Sequence, residues 1–305
     1  MTEIRTIAFI GLGVMGGPMA GHLARAGYEV TGYNRTASRA EAWAKALAGE
    51  GVSVSTASTP AEAATDKDMV LTCVGNDEDL EQVLFGSEGA LPAMTPGSLL
   101  VDHTTVSANM ARRVDAAARE RRIAAVDAPV SGGQAGAENG ALAVMCGGSE
   151  DAVERARPVM QAFSARIVHV GAAGAGQTTK MANQMCIAGV LAGLSEAVRL
   201  SQASGLDMET VYDAISGGAA QSWQMDNRWA TMAQGEFDFG FAIDWMRKDL
   251  GYALDEARRL GLSSPVSALV DQFYAEVQAM GGARQDTSAL IRRLPQGPKQ
   301  GKSSS

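Results

Sequence analysis

The stretch "IAFIGLGVMGGPMAGHL", from Ile7 to Leu23, decides how the first half of this chain folds. It passes from an apolar run through three glycines spaced G-x-G-x-x-G into a helical pattern that begins near Met15. In such a turn the first glycine permits the tight bend, the second lets the backbone approach a pyrophosphate, and the third lets the helix lie close to the strand. Unpaired amides at the helix start then face the anion.

The stretch therefore predicts a dinucleotide-binding loop, and a plain structural turn is the alternative. The residues predicted to contact the cofactor here are Gly11, Leu12, Gly13, Val14, Met15 and Gly16.

The residues after the second β-rich run, "EVTGYN", indicate which dinucleotide is bound. NAD-binding folds usually place an Asp or Glu there to bind the ribose 2′-hydroxyl, whereas this chain has Asn34, Arg35 and Thr36. A carboxylate would repel a 2′-phosphate, whereas a guanidinium can pair with it through two hydrogen bonds. We therefore expect NADP(H) to be favoured. NAD(H) is also possible, because Arg35 could instead stack on the adenine.

Short β-rich runs alternate with helical patterns in the first half of the chain, which predicts a parallel sheet flanked by helices, a doubly wound Rossmann-type α/β fold. The runs are "TIAFIG", "EVTGYN", "VSV", "MVLTCV", "SLLVD", "AAVDAP", "LAVMCG" and "RIVHV". Beyond "GAAGAGQ" the pattern is helical throughout. We predict a dinucleotide-binding domain over residues 1–173, a long connecting helix over 174–205, an all-helical substrate and oligomerisation domain over 206–294, and a disordered tail over 295–305.

Composition excludes several classes of protein. A net charge of −8 over 305 residues argues against a nucleic-acid surface, which needs clustered Lys and Arg. No uninterrupted apolar run approaches about 18 residues, so we expect no membrane span. The cysteines, Cys73, Cys146 and Cys186, have no metal-ligand spacing and suit a reducing cytoplasm. The three histidines form no Ser-His-Asp or metal arrangement, although His103 could tune specificity or simply fill space.

Several segments jointly resemble the β-hydroxyacid dehydrogenase family, which includes 3-hydroxyisobutyrate dehydrogenase and tartronate semialdehyde reductase. They occur in the family's order, from Ile7 to about Ala257: "GLGVMGGPMAGHL", "VDHTTVSA", "DAPVSGGQAGAENGALAVMCGG", "GAGQTTKMANQ" and "WMRKDLGYALDEA". The glycine-rich start is widely shared among dinucleotide-binding proteins. The "DAPVSGG" segment and the lysine-containing helix start are much more specific to this family.

The resemblance implies roles for particular residues. Lys180 would be the catalytic acid and base. The other implied residues are Ser131, Gly132 and Gly133 for the substrate carboxylate; Val74, Gly75 and Thr105 for the nicotinamide side of the cofactor; Lys248, which would reach the cofactor from the second domain; and Phe241 and Asp249, which would close the substrate pocket.

The residues themselves support the two central roles. The "SGG" segment follows a β-rich run, where doubly wound sheets bind ligands, although Gly-Gly would also make an ordinary turn. Lys180 near a helix start shares one helix face with Asn183 and Gln184, three and four residues later, which we expect to bind substrate. A desolvated ammonium beside a positive helix end would lose its proton more easily. The alternative is a solvated surface lysine.

We therefore expect reversible hydride transfer between NADP(H) and a short β-hydroxyacid or its semialdehyde, with a small carboxylate as substrate. Three alternatives are an imine reductase, which generally lacks lysine at position 180, a 6-phosphogluconate-type decarboxylase, and a cofactor-binding regulatory protein without turnover. Asn183-Gln184 departs from the family's common asparagine pair and weakens the case for 3-hydroxyisobutyrate itself. The long apolar helix, with Gly189 and Gly193 spaced for close packing, suggests a homodimer or homotetramer.

Overall fold

The computed structural model describes residues 4–295, which form two compact units that meet in sequence at Lys180 and Met181. Apart from Pro295, the predicted disordered tail lies outside the described residues. The first unit alternates strands and helices as the sequence predicts. Its elements are β1 (Thr6–Ile10), α1 (Gly16–Arg25), β2 (Glu29–Tyr33), α2 (Ala37–Gly49), β3 (Ser55–Thr56), α3 (Pro60–Ala64), β4 (Met69–Thr72), α4 (Asp77–Phe85), α5 (Ala90–Ala93), β5 (Leu99–Asp102), α6 (Ala108–Glu120), β6 (Ala124–Asp127), β7 (Val130–Ser131), α7 (Gly133–Glu138), β8 (Leu142–Gly148), α8 (Glu150–Met160) and β9 (Ser164–Gly171).

These strands form one nine-stranded sheet in the order β3-β2-β1-β4-β5-β6-β8-β7, with β9 also paired to β8. From β3 to β6 all neighbours are parallel, as the alternating pattern predicts for a doubly wound sheet. The far part differs, because β8 runs antiparallel to both β6 and β7. The chain reverses direction between β7 and β8, in the segment that contains α7. The two-residue β7 was not predicted from the sequence.

Helices cover both faces of the sheet. This explains why the sequence of β1 is apolar throughout and does not alternate between apolar and polar residues. Ile7 and Phe9 belong to one core cluster, which contains Met19 of α1, while Ala8 and Ile10 belong to another, which contains Leu80 of α4. All four strand residues are fully buried. A continuous apolar run is therefore the pattern of a strand buried on both faces.

Two strands depart from their predicted form. The predicted run "VSV", residues 52–54, precedes the observed β3, and its two valines pack instead against the core. Strand β9 is largely exposed or half-buried, because it lies at the edge of the sheet and pairs only with β8.

The second unit is helical, and within the described residues it has no strand beyond one isolated bridge between Ala242 and Asp286. Its core is built from apolar stripes that include Trp229, Met246 and Tyr274. Its elements are the greater part of α9 (Ala175–Ala203), then α10 (Met208–Ser216), α11 (Trp223–Gln234), α12 (Ile243–Arg259), α13 (Pro265–Val277), a π-helical turn (Gln278–Gly282) and a 3-10 helix (Thr287–Arg293).

Helix α9 is long and apolar enough to cross a membrane, judged by length and composition alone, with a mean hydropathy of 1.2 over its best 18 residues. Ala188, Leu191, Leu194 and Val198 recur at helical spacing along it and belong to the core of the second unit. This stripe gives the apolar composition a role in packing.

Candidate active site

The carboxyl ends of five strands finish level with one another in the first unit. The register aligns Tyr33 with Ile10, Ile10 with Thr72, Thr72 with Asp102, and Asp102 with Asp127. The segment that follows each of these residues therefore leaves the sheet at one edge. These five segments contain the predicted site residues of this unit that precede α9: Gly11–Gly16, Asn34–Thr36, Val74–Gly75, Thr105 and Ser131–Gly133.

The three glycine positions of the first loop, Gly11, Gly13 and Gly16, lack a side chain for different reasons. A Cβ at Gly11 would overlap the carbonyl oxygen of Cys73, and one at Gly16 would overlap the carbonyl oxygen of Gly11 and approach the Phe9 ring to 2.9 Å. A Cβ at Gly13 would meet no protein atom within 4 Å. Packing therefore accounts for the first and third glycines, whereas the space beside Gly13 is open, as a loop that must admit a pyrophosphate requires.

The loop is tied to the end of β2. The side-chain oxygen of Asn34 accepts a hydrogen bond from the Leu12 amide at 3.1 Å, and its side-chain nitrogen donates to the Thr36 carbonyl oxygen at 3.1 Å. The guanidinium of Arg35 is 72% exposed and donates to Asp79 at the start of α4, at 2.7 Å. Arg35, which the sequence predicts to bind a 2′-phosphate, thus already has a carboxylate beside it.

A buried carboxylate, Asp102, joins the next two loops of the edge. Its Oδ1 accepts hydrogen bonds from the Thr72 hydroxyl at 2.6 Å and the Thr104 amide at 3.0 Å. The Thr104 hydroxyl in turn accepts from the Val74 amide at 3.0 Å. Burial raises the pKa of Asp102 to about 6 against these hydrogen bonds. The network therefore joins the segment that carries Val74 and Gly75 to the one that carries Thr104 and Thr105.

The "SGG" segment lies where β7 ends. Ser131 is half-buried and pairs with Ala143 of β8, while Gly132 and Gly133 are exposed. Both glycines have left-handed backbones, with φ of 134° and 61°, which residues with a Cβ rarely adopt. The segment therefore presents backbone groups in a conformation that glycine permits.

Lys180 is buried, with 7% of the residue exposed, and lies in the second turn of α9. Asp127, the last residue of β6, caps the start of this helix: its Oδ1 accepts from the Gly174 amide at 2.8 Å and its Oδ2 from the Gln177 amide at 3.0 Å. Burial raises the pKa of Asp127 to about 6, and the hydrogen bonds from the helix amides oppose that rise.

The side chain of Gln177 fixes the helix start to a second segment. Its amide nitrogen donates to the Thr104 carbonyl oxygen at 2.7 Å, and its oxygen accepts from the Val106 amide at 3.1 Å. The two partners of the Gln177 side chain, Thr104 and Val106, flank Thr105. The helix that carries Lys180 is thus bonded both to the strand end that precedes the "SGG" segment and to the loop at the predicted nicotinamide side.

In the second unit, four of the five predicted residues share one network. Gln184 is 1% exposed, accepts from the Asn183 side chain at 2.9 Å and donates to Asp249 at 2.7 Å. Lys248 lies 3.2 Å from the other oxygen of Asp249, and its ammonium is 5.6 Å from the ring centres of Trp245 and of Tyr252. The amide groups of Gln184 are therefore engaged within the protein.

Phe241, the remaining predicted residue, is half-buried in the loop before α12. Its amide donates to Asp286 at 3.0 Å, and Asp286 is paired with Arg228 through two bonds of 2.9 and 3.2 Å. A buried ion pair thus fixes this loop.

Sequence reasoning did not single out Asp102, Asp127, Gln177 or Asp79. A signal for two of them was present: "LLVD" and "AAVD" each end a fully apolar strand with a carboxylate, which a buried position tolerates only with partners. Apart from Thr104, the partners of these two carboxylates are 30 to 50 residues away in the sequence. Within residues 4–295 no group of three or more His, Cys, Asp or Glu side chains could hold a metal ion.

Family models cover nearly the whole chain. Residues 6–171 match the NAD-binding domain of 6-phosphogluconate dehydrogenase, and residues 174–294 match the model described as NAD-binding of NADP-dependent 3-hydroxyisobutyrate dehydrogenase. The boundary between the two matches coincides with the beginning of α9.

Individual relatives agree. An uncharacterised oxidoreductase of Shewanella frigidimarina is 57% identical over 94% of this chain and 97% of its own length. A probable 3-hydroxyisobutyrate dehydrogenase-like protein of Arabidopsis thaliana is 39% identical over 94% and 84%. The structure of Mycobacterium tuberculosis 3-hydroxyisobutyrate dehydrogenase with L-serine has a TM-score of 0.85 at 34% identity, covering 96% of this chain and 99% of that one. The chain therefore belongs to the β-hydroxyacid dehydrogenase family of NAD(P)-dependent oxidoreductases, among its 3-hydroxyisobutyrate dehydrogenase-like members.

Proposed function

We propose that this protein transfers a hydride reversibly between NADP(H) and a short β-hydroxyacid or the corresponding semialdehyde, with Lys180 as general acid and base. The alignment of five strand ends carries the proposal, because it collects at one edge the loops predicted to hold a dinucleotide and a carboxylate. In open α/β sheets ligands bind at this carboxyl edge.

The chain's residues fit the proposed cofactor. Gly13 leaves open space where a pyrophosphate would approach, and Asn34 fixes the loop by bonding the Leu12 amide. Gly11–Gly16 would hold the pyrophosphate, Asn34–Thr36 the adenosine side, and Val74, Gly75 and Thr105 the nicotinamide side. When bound, the nicotinamide supplies or accepts the hydride, which no protein side chain can do.

The preference for NADP(H) rests on Arg35. No carboxylate ends β2, and the exposed guanidinium can turn toward a 2′-phosphate. Use of NAD(H) is the alternative, and kcat/KM measured with both cofactors distinguishes them. A clear preference for NAD(H) would contradict this assignment.

Lys180 is the proposed proton donor for reduction of the carbonyl oxygen and, when neutral, the acceptor of the hydroxyl proton in oxidation. Burial of the residue and the double attachment of its helix through Asp127 and Gln177 support a fixed position for it. A positioned acid and base contributes typically 10²–10⁴-fold to the rate.

Ser131, Gly132 and Gly133 are the proposed contacts of the substrate carboxylate, since a hydroxyl and backbone amides can bind an anion at a strand end. Asn183 would orient a substrate oxygen, while Gln184 accepts a hydrogen bond from the Asn183 amide and is itself held by Asp249. Phe241 and Lys248 are further proposed contacts. The M. tuberculosis enzyme described above is paired with L-serine, which is also a short acid with a hydroxyl on its β-carbon. Serine therefore belongs in the substrate panel beside 3-hydroxyisobutyrate and the semialdehydes.

The test is Lys180→Ala assayed with the preferred substrate of that panel, with Lys180→Arg as a companion that keeps the charge. We expect kcat to fall by about 10²–10⁴-fold in both variants, because arginine cannot release its proton. The Kd for NADPH should stay within about two-fold, since the lysine acts on the substrate. Turnover by the Lys180 variants within a few-fold of wild type would defeat the assignment.

The same substrate panel tests the alternative functions. Absence of turnover by wild type across the panel would favour a regulatory protein, and turnover of a cyclic imine alone would favour an imine reductase.

We further propose that the protein works as a homodimer or homotetramer in the reducing cytoplasm. Exposed apolar residues recur around the start of α13 in the second unit: Leu262 at 62%, Val266 at 61% and Leu269 at 54%. Patches of this kind suit a subunit interface. Light scattering after size-exclusion chromatography measures the mass, and a monomer at micromolar concentration would contradict the proposal.

A further inference from the structure

We propose that Asp79 sets the balance between NADP(H) and NAD(H) by holding the guanidinium of Arg35. The inference rests on the proposed cofactor site and adds to it a residue that the adenosine-side loop does not contain. One Arg35 nitrogen, Nη1, donates to Asp79 Oδ1 at 2.7 Å. The two residues are 44 positions apart in the sequence.

Of the two partners, Asp79 is the fixed one. It is the third residue of α4, and its amide donates to the side-chain oxygen of Asn76 at 2.8 Å, so the first turn is capped. Its side chain is 27% exposed, against 72% for Arg35. A carboxylate near a helix amino terminus is also stabilised there. Arg35 is therefore the partner that must move when a ligand competes.

The sheet order puts this ion pair across the dinucleotide loop. Strand β1 lies between β2 and β4, and the three strands end level at Tyr33, Ile10 and Thr72. Arg35 follows β2 and Asp79 follows β4, whereas the glycine loop follows β1. The pair thus links the two segments that flank the loop, on the edge where the dinucleotide is proposed to bind.

This position gives Asp79 opposite effects on the two cofactors. A 2′-phosphate carries a charge of roughly −2 at neutral pH and binds guanidinium best through two nitrogens, and Asp79 already accepts from one of the three nitrogens of Arg35. The phosphate must therefore displace the carboxylate or bind the remaining nitrogens beside a like charge. A ribose 2′-hydroxyl is uncharged and imposes neither cost. Asp79 accordingly weakens the binding of NADP(H) relative to NAD(H), and so reduces the preference for NADP(H) that Arg35 creates.

A neighbouring ion pair offers a matched control. Glu81 lies two residues further along α4 and binds Arg113 through two bonds of 2.9 Å, away from Arg35. Glu81→Gln removes one negative charge from the same helix, as Asp79→Asn does. Any general effect of the charge of α4 on an anionic cofactor will therefore appear in both variants.

The experiment measures Kd for NADPH and NADH by fluorescence titration, which does not require turnover. For Asp79→Asn we expect the affinity for NADPH to rise about five-fold relative to NADH, the equivalent of a partly exposed ion pair. Asp79→Ser, which lacks an amide, should give the same direction. Glu81→Gln should change the ratio by less than about two-fold, since surface charges away from the site contribute little.

Arg35→Ala completes a double-mutant cycle. In that background Asp79→Asn should leave the NADPH-to-NADH ratio unchanged, because the carboxylate acts through the guanidinium. The inference would be overturned if Asp79→Asn left the NADPH-to-NADH affinity ratio unchanged in the protein that keeps Arg35. It would also be overturned if Asp79→Asn changed the ratio equally in the Arg35→Ala background. Either result would leave the cofactor site intact. Failure of wild type to bind either dinucleotide would overturn both the inference and the proposed function.

Discussion

The carboxylate of Asp127 binds the backbone amide of Gln177, three residues before Lys180, at 3.0 Å. The bond joins the last residue of a central strand to the first turn of the helix that carries the proposed acid and base. A Cβ at Gly176 would lie 2.6 Å from the Asp127 carbonyl oxygen, so helix and strand are in close contact here. The site's precision therefore depends on a residue that need not touch substrate.

Asp127→Asn should lower kcat by about ten- to a hundred-fold, because a small displacement of Lys180 lengthens its proton transfer. The neutral amide also faces two helix amides with a single acceptor oxygen, and the free energy of unfolding should fall by about 1–3 kcal/mol. Steady-state kinetics and urea denaturation at pH 7.5 measure the two effects.

The control for Asp127 is Asp68→Asn. Asp68 directly precedes β4 and so lies at the amino ends of the strands, opposite the candidate site. Asp68 also accepts backbone amides, from Arg5 and Thr6, both at 2.9 Å. Its replacement should cost stability and leave kcat within about two-fold, since nothing proposed to react lies there. Equal losses of kcat in both variants would show that Asp127 acts only through stability.

Gly13→Ala and Gly16→Ala should separate binding from folding. A Cβ at position 13 meets no protein atom, so the free energy of unfolding should change by less than about 0.5 kcal/mol while the Kd for NADPH rises about ten-fold or more. A Cβ at position 16 overlaps backbone and should cost about 3 kcal/mol. Thermal unfolding and cofactor titration measure both, and unchanged NADPH affinity in Gly13→Ala would contradict the loop's assignment.

His103 should make the fold sensitive to acid. It is 2% exposed, its Nδ1 lies 2.7 Å from the Ala128 carbonyl oxygen, and burial lowers its pKa to about 4 from 6.5. Below pH 6.5 the unfolded chain takes up a proton that the folded protein refuses, so stability is lost as pH falls toward 4. Between pH 7.5 and 4.5 the wild type should lose about 2–3 kcal/mol more than His103→Gln.

Denaturant titrations of both proteins across that range measure the difference. The raised pKa values of Asp102 and Asp127 act in the opposite sense, because stability then falls as pH rises from about 4 to 6. Both carboxylates are present in wild type and variant, so their effect cancels in the comparison. Parallel curves for the two proteins would show that the buried histidine does not titrate as described.

Asp249→Ala should disturb the network of the second unit. It would leave the buried Gln184 amide nitrogen without its acceptor and remove the carboxylate beside Lys248, which should cost about 2–3 kcal/mol. We also expect a higher substrate KM, since Asn183 loses its support. Asp271→Ala is the control. Asp271 lies on α13 and binds Arg247 at 2.9 Å, and Arg247 is on α12, the helix that carries Asp249. A KM that rises equally in both variants would argue against a specific role for Asp249.

The sequence by itself determined the elements and much of the candidate site. Apolar runs separated by helical spacing identify the strands, because each periodicity matches one regular backbone geometry. The G-x-G-x-x-G spacing fixed the loop after β1, since strand, turn and helix follow one another within 20 residues of sequence. Arg35, after the end of β2, was predicted for the same local reason, whereas the roles of Ser131 and Lys180 were implied by the family resemblance.

Only the tertiary structure decided which distant residues meet. Asp127 with Gln177, Asp102 with Thr72, and Arg35 with Asp79 are pairs 30 to 50 residues apart, brought together by a strand order that alternation alone does not specify. The antiparallel β8 likewise depends on a reversal of the chain between β7 and β8, which the alternating pattern does not specify. Local pattern fixes backbone conformation, whereas a hydrogen bond between side chains depends on the position of both strands in the sheet, which packing of the whole unit selects.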